Sequence, residues 1–191
     1  MSVDFVDGLV LACYASLWFE VFVWRVPSVA STYEIVRASD RSFARSALEL
    51  ASTILGVSAY CAPMYFALFG IPAWCVPFSV SPVAVWTIVG VLLAISGRVL
   101  TMFAIGRLRI AVRDGTVENR WPYGWSRNPA LVGLYVFFAG ACLVYPCVLT
   151  LVGLVVFVLH MHRRVLLEET VLDQLHGDSY RAYASRVRRY L

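Results

Sequence analysis

The chain has no lysine: all 16 basic residues are arginines, set against 12 acidic ones. Charge of either sign is scarce, 15% of 191 residues, and it is missing altogether from Leu50 to Gly97 and again from Pro129 to Leu159. Soluble domains carry about 25% charged residues, so this composition excludes an ordinary water-soluble globule. A glycine-rich turn of the soluble dinucleotide-binding type is also lacking, so a nucleotide cofactor would need another kind of pocket. No basic segment precedes the first apolar stretch, where Asp4 and Asp7 stand instead; a retained first span is therefore expected rather than a cleaved signal peptide. There is no internal repeat, no low-complexity tail and no expected nucleic-acid partner. His160 and His162, two residues apart, diverge on a helix and with no other ligand set in view predict no metal.

What is present is apolar: 60% of the residues are hydrophobic. Leu50 to Gly97 is long enough for two spans of about 20 residues and a turn, and Pro72, Pro77 and Pro82 fall where that turn belongs. Pro129 to Leu159 must hold two helices around Tyr145-Pro146, each of roughly 23 Å against a hydrocarbon core of about 30 Å. That hairpin must be short, tilted or extended by its polar flanks. With a segment from about Gly8 to Trp24, the fold class expected is an all-α membrane protein of about five transmembrane helices, with a short C-terminal hairpin and a cytoplasmic catalytic tail. One membrane domain, 1–191, divides into a three-helix half (1–105) and a second half (106–191) that carries the motifs. The arginines cluster after helices one, three and five, which puts the N-terminus outside or lumenal and the C-terminus in the cytoplasm.

Glu20, Glu49 and Arg98 stand inside or at the ends of the expected spans, and two readings stay open for them: polar contacts within the bundle, or snorkelling to the cytoplasmic interface. The cysteines at 13, 61, 75, 142 and 147 are read as small buried apolar residues, with a Cys75–Cys147 disulfide the alternative.

Two stretches carry the chemistry. In the first, Pro122-Tyr123, Arg127-Asn128-Pro129 and Gly133 lead into an apolar helix: the residue before proline is held extended, asparagine can cap, and proline at the first helical position loses no hydrogen bond. Such a helix N-terminus can receive an anionic group, and Gly133 would admit a ligand or a neighbouring backbone. In the second, Glu168-Glu169, Leu172, Gly177, Tyr180 and Tyr183 follow an arginine pair where an apolar helix leaves the membrane, and costly juxtamembrane charge of this kind marks a candidate functional site. Helical spacing puts His160, Arg164 and Glu168 on one face, so Arg164 can pair with Glu168 while Glu169 points about 100° away. Both carboxylates are expected to stay hydrated. An isolated glutamate pair is ordinarily a solvated helix face; here it follows a matching first motif across a hairpin.

Together the stretches follow P-Y-x-x-x-R-[HN]-P-x-x-x-G and E-E-x-x-L-x-x-x-x-G-x-x-Y-x-x-Y, and over about a third of the chain they resemble the isoprenylcysteine carboxyl methyltransferase and phospholipid methyltransferase superfamily. Trp121, where the family often has glycine, and Leu131, where tyrosine is common, depart from it. The resemblance implies methyl transfer from S-adenosylmethionine to a lipid-borne acceptor in the bilayer. It implies a cofactor pocket built from Tyr123, Arg127, Asn128, Pro129, Leu131, Gly133, His160, Glu168, Glu169, Tyr180 and Tyr183, closed by a loop from Gly106 to Arg127. Aromatic faces there, Trp125 among them, suit a sulfonium or an adenine. A carboxylate acceptor needs a cation, Arg163 or Arg164, whereas an ammonium must first lose a proton to a base such as Glu169. The prenylcysteine-like carboxylate is preferred, with phosphatidylethanolamine-type N-methylation next. An NADPH-dependent sterol-reductase-like enzyme and a non-enzymatic membrane scaffold are the remaining alternatives.

Overall fold

A computed structural model describes residues 4–22, 61–75, 84–116 and 118–190. Among these residues the chain is all helical, with six helices and no strand: α1 (Phe5–Phe22), α2 (61–69), α3 (Ala84–Asp114), α4 (Pro129–Val144), α5 (Val148–His176) and α6 (Asp178–Ala184). Helix α3 has 31 residues and α5 has 29, and both are long and apolar enough to cross a membrane. Helix α4 is apolar but has only 16 residues, about 24 Å. The expected second span begins outside the described residues, as do Trp24, Glu49, Pro77 and Pro82, so these helices fall short of the five spans expected. The turn near Pro72 is present: helix α2 gives way at Gly70, and Cys75 N–H bonds to the Pro72 carbonyl at 2.8 Å.

The Gly106–Arg127 loop needs correction. Its first nine residues continue α3 to Asp114, because nothing in GRLRIAVRD breaks a helix, and the helix stops only at Gly115, whose φ of 64° suits glycine. The hairpin expectation is resolved in the same way. Helix α5 runs past its apolar half, through the arginine and glutamate pairs, to His176, and only α4 stays short.

Helices α3 and α4 are welded along a seam of small residues, Gly90, Ala94, Gly97 and Thr101 meeting Gly133, Gly140 and the backbone of Phe137. A Cβ at Gly133 would lie 2.6 Å from the Gly97 carbonyl oxygen, so what Gly133 admits is backbone. Close approach of this kind is how apolar helices gain packing when lipid offers no hydrophobic drive. Helix α1 lies against the pair through Tyr14, whose ring meets Phe137 edge-on at 5.0 Å. Phe138 and Phe157, centroids 4.7 Å apart, carry the core across to α5.

Glu20 and Arg98 turn inward rather than snorkel. Arg98 Nη2 is 2.7 Å from Glu20 Oε2, with each side chain 4% exposed. The guanidinium also donates from Nε to Ser16 Oγ at 2.8 Å and from Nη2 to the Ser16 carbonyl at 2.9 Å. One arginine thus holds a full turn of α1. All five cysteines are free thiols, and Cys75, Cys142 and Cys147 are buried.

Candidate functional site

At the end of the bundle where α4 begins, the two sequence stretches meet. Pro129 is the first residue of α4, as expected. Asn128 precedes it in the cap position, but makes no cap bond; its side-chain Nδ2 donates instead to the Arg189 carbonyl at 3.1 Å. The reason is a competing partner, the segment after α6, which returns alongside residues 126–128. Arg127 N–H bonds to the Arg188 carbonyl at 2.8 Å, and Ser126 Oγ donates to the Arg189 carbonyl at 3.2 Å. Ser126 and Arg188 thereby form an isolated parallel bridge.

This strap brings Arg189 over α5, where it donates from Nε and Nη2 to Glu169 at 2.8 to 3.1 Å. Arg127 Nη1 reaches the other side of the same carboxylate, 3.1 Å from Oε1. The Glu169 side chain is 14% exposed, so the expectation of a hydrated carboxylate is wrong for Glu169: a tail 20 residues further on covers it. Bonding to Glu169 holds the Arg189 guanidinium even more firmly protonated than usual. Glu168, one residue back, pairs with Arg164 Nε at 2.8 Å, four residues apart on the same face. The 100° divergence of the pair is real, and the two carboxylates have different partners.

The tyrosines of the motifs form the floor. Tyr183 donates its hydroxyl hydrogen to the Tyr123 carbonyl at 2.9 Å, and Tyr123 donates to the Ala104 carbonyl of α3 at 3.3 Å. The rings of Tyr180 and Tyr183 lie 6.2 Å apart, and all three tyrosines are buried. Burial pushes the Tyr123 phenol well above the ordinary tyrosine range, with the charges of Tyr183, Glu118 and Glu168 adding to the shift. Tyr183 is raised for the same first reason. Tyr180 is raised by burial too, while a hydrogen bond from Arg127 opposes the shift. These phenols are neutral at physiological pH, so they offer hydroxyls and ring faces, not bases.

The remaining expected site residues are placed less tightly. Leu131 packs against the core cluster, His160 is half-buried, Arg163 is exposed, and Trp125 is 70% exposed. Trp121 packs against Phe103, the rings tilted by 58° with centroids 4.8 Å apart. Arg189 and Ser126 were not anticipated. Nor was the contact of His162 Nδ1 with the Tyr190 hydroxyl at 2.8 Å. The only sequence signal for them is the arginine-rich RVRRY tail, and nothing in it says where the tail returns.

Chemically, the cluster offers hydrogen-bond acceptors at Glu168, a two-arginine fork around Glu169, and buried aromatic faces. The chain matches no protein-family model, no curated protein and no solved structure.

Proposed function

We propose that the chain is an integral-membrane, S-adenosylmethionine-dependent methyltransferase acting on a lipid-borne acceptor, a prenylcysteine-like carboxylate. Five spans, an outer N-terminus and a cytoplasmic C-terminus belong to this reading. The observation that supports it most is convergence: two motifs some 40 residues apart in the chain meet at Arg127–Glu169 and Tyr123–Tyr183, with the strap closing over them.

The residues suit the cofactor. Glu168, 26% exposed and bonded through one oxygen, has acceptor capacity left for ribose hydroxyls or an ammonium, a charge-assisted bond of about 1.5 to 3 kcal/mol. The buried Tyr180 and Tyr183 rings pack beneath the cluster, while the exposed Trp125 ring offers a face to an adenine or a sulfonium. Bound there, S-adenosylmethionine supplies an electrophilic methyl group. The protein's share is positioning, since a carboxylate acceptor is already nucleophilic and needs only to be held near 3 Å in line with the methyl carbon. Arg163 and Arg164 lie on the exposed flank of α5, where an acceptor anion arriving from the lipid would meet them. Glu169 has both oxygens engaged by guanidinium groups, so neither is free to approach an acceptor ammonium, which weighs against amine methylation.

Binding to the purified protein in detergent tests the reading. S-adenosylmethionine should bind and NADPH should not; tight NADPH binding without S-adenosylmethionine binding, or binding of neither, overturns it.

A further inference from the structure

Helix α3 carries an apolar stripe along its exposed side. Val85, Leu92, Val99, Phe103 and Ile110 are all exposed, and at about 100° per residue their positions fall within about 40° of one another. No charge interrupts the stripe, because Arg98 turns away to Glu20 and the next charged residue along α3 is Arg107. Arg107 and Arg113 then bracket Ile110, each about 60° to one side of the stripe. The Arg107 guanidinium lies back over the stripe, 5.7 Å from the centroid of the Phe103 ring, and Trp121, half exposed, packs against the same ring. Neither Arg107 nor Arg113 has a carboxylate partner among the described residues. Asp114, the one acidic residue of α3, comes last, further from the apolar stretch than either arginine. Aromatic rings and arginines at the end of an apolar helix are the groups that settle at the headgroup level of a bilayer. A guanidinium there matches a phosphate in shape and charge. A zwitterionic headgroup brings its own cation against the two arginines, whereas an anionic one leaves its phosphodiester charge for them to neutralise.

We propose that Arg107, Arg113, Phe103 and Trp121 form a docking site for one anionic phospholipid, whose acyl chain lies along the stripe from Leu92 to Phe103 and whose phosphodiester is shared by the two guanidinium groups. The aromatic pair fixes the depth of the headgroup, and the arginines select its charge. The site needs α3 to cross a bilayer and is independent of the methyl-transfer chemistry.

Native mass spectrometry of the full-length protein in mild detergent tests the proposal, with phosphatidylglycerol and phosphatidylcholine of the same acyl chains offered in equal amounts. The first lipid bound should be phosphatidylglycerol, preferred by about tenfold or more. Arg107→Gln and Arg113→Gln should each lower that preference about fivefold, the worth of one basic residue near an anionic headgroup, and the double variant should bring it close to parity. Arg113 is exposed, so its variant folds and serves if the half-buried Arg107→Gln does not. Arg186→Gln, which removes an exposed arginine from the segment after α6, should leave the preference unchanged. In the same detergent, phosphatidylglycerol should raise the Tm of the wild type more than phosphatidylcholine does, and the double variant should lose the difference. Equal binding of the two lipids by the wild type overturns the site, as does a preference that survives in Arg113→Gln. A fall in Arg186→Gln as large as that in Arg113→Gln also overturns it, because the attraction would then be spread over the whole basic surface.

Discussion

Tyr183 reaches back across 60 residues to donate its hydroxyl hydrogen to the backbone carbonyl of Tyr123 at 2.9 Å. The bond ties the short helix α6 to the loop that leads into α4, and both rings are buried around it. Tyr183→Phe removes the donor and leaves a buried carbonyl unbonded, which should cost about 1 to 2 kcal/mol. The expected result is a lowered Tm in detergent together with weaker S-adenosylmethionine binding. An unchanged affinity would mean that cofactor binding is independent of this bond.

The glutamate pair should split. Glu168→Gln breaks a half-exposed pair of the i, i+4 type, worth about 0.5 kcal/mol or less, so its Tm should barely move while cofactor affinity falls roughly tenfold. Glu169→Gln leaves two guanidinium groups facing a neutral amide in a mostly buried place, which should cost on the order of 2 kcal/mol. Thermal unfolding of the two variants side by side, with S-adenosylmethionine titrations, checks both numbers. Equal melting temperatures contradict the geometry described here.

Arg98 and Glu20 should behave as one unit. Removing either partner strands a buried charge, at about 3 kcal/mol or more, whereas Arg98→Met with Glu20→Met together should be milder than either change alone. A double-mutant cycle on Tm or denaturant midpoint gives the coupling. Additive losses would show that the pair is not a pair in solution.

Arg181 bonds to Asp173 at 2.8 Å across the junction of α5 and α6 and holds its carboxyl below its ordinary value of 3.8. A lowered carboxylate contributes stability that is present above the unfolded value and lost as pH falls through the folded one. The protection of the α6 amides relative to their intrinsic exchange rate should therefore fall below about pH 4, and Asp173→Asn should show the lower protection at every pH. Because both groups are exposed, added salt should weaken the effect.

Topology is open to direct labelling. On a cysteine-free background, single cysteines at Ser2 and Ser79 should react with an impermeant reagent from outside, and one at Ser185 only after permeabilisation. External labelling at Ser185 contradicts the proposed cytoplasmic C-terminus, which rests on the positive-inside distribution of arginines.

Sequence reasoning reached some of this arrangement through local rules. The i, i+4 spacing is enough to pair Arg164 with Glu168, proline at the first position marks the start of α4, and uncharged runs mark α3 and the hairpin. The extension of α3 through Gly106–Asp114 was missed because a polar segment after an apolar span reads as a loop unless helix breakers are checked. Arg189 was missed for a deeper reason. Its partners lie 20, 61 and 63 residues away, and a short tail carries no periodicity to announce where it docks. The inward turn of Arg98 was likewise undecidable, since an arginine expected near the end of a span can snorkel or pair, and only the position of Ser16 and Glu20 on the neighbouring helix decides it.

Helix α3 also serves as a ruler. Ala104, whose carbonyl receives the Tyr123 hydroxyl, lies 20 residues from the start of the helix at Ala84, about 30 Å along its axis. That is the thickness of a bilayer's hydrocarbon layer, and ten further residues extend the helix beyond that length. In a chain embedded as proposed, the tyrosine floor therefore sits at the plane where lipid tails give way to headgroups, fixed there by counted turns of one rigid rod. An acceptor keeps its hydrocarbon in the membrane and presents only its polar end, so reactivity should depend on how far that end stands from the tail. Thickening the bilayer by a few Å should then slow the reaction on a short-headed acceptor more than on a long-headed one.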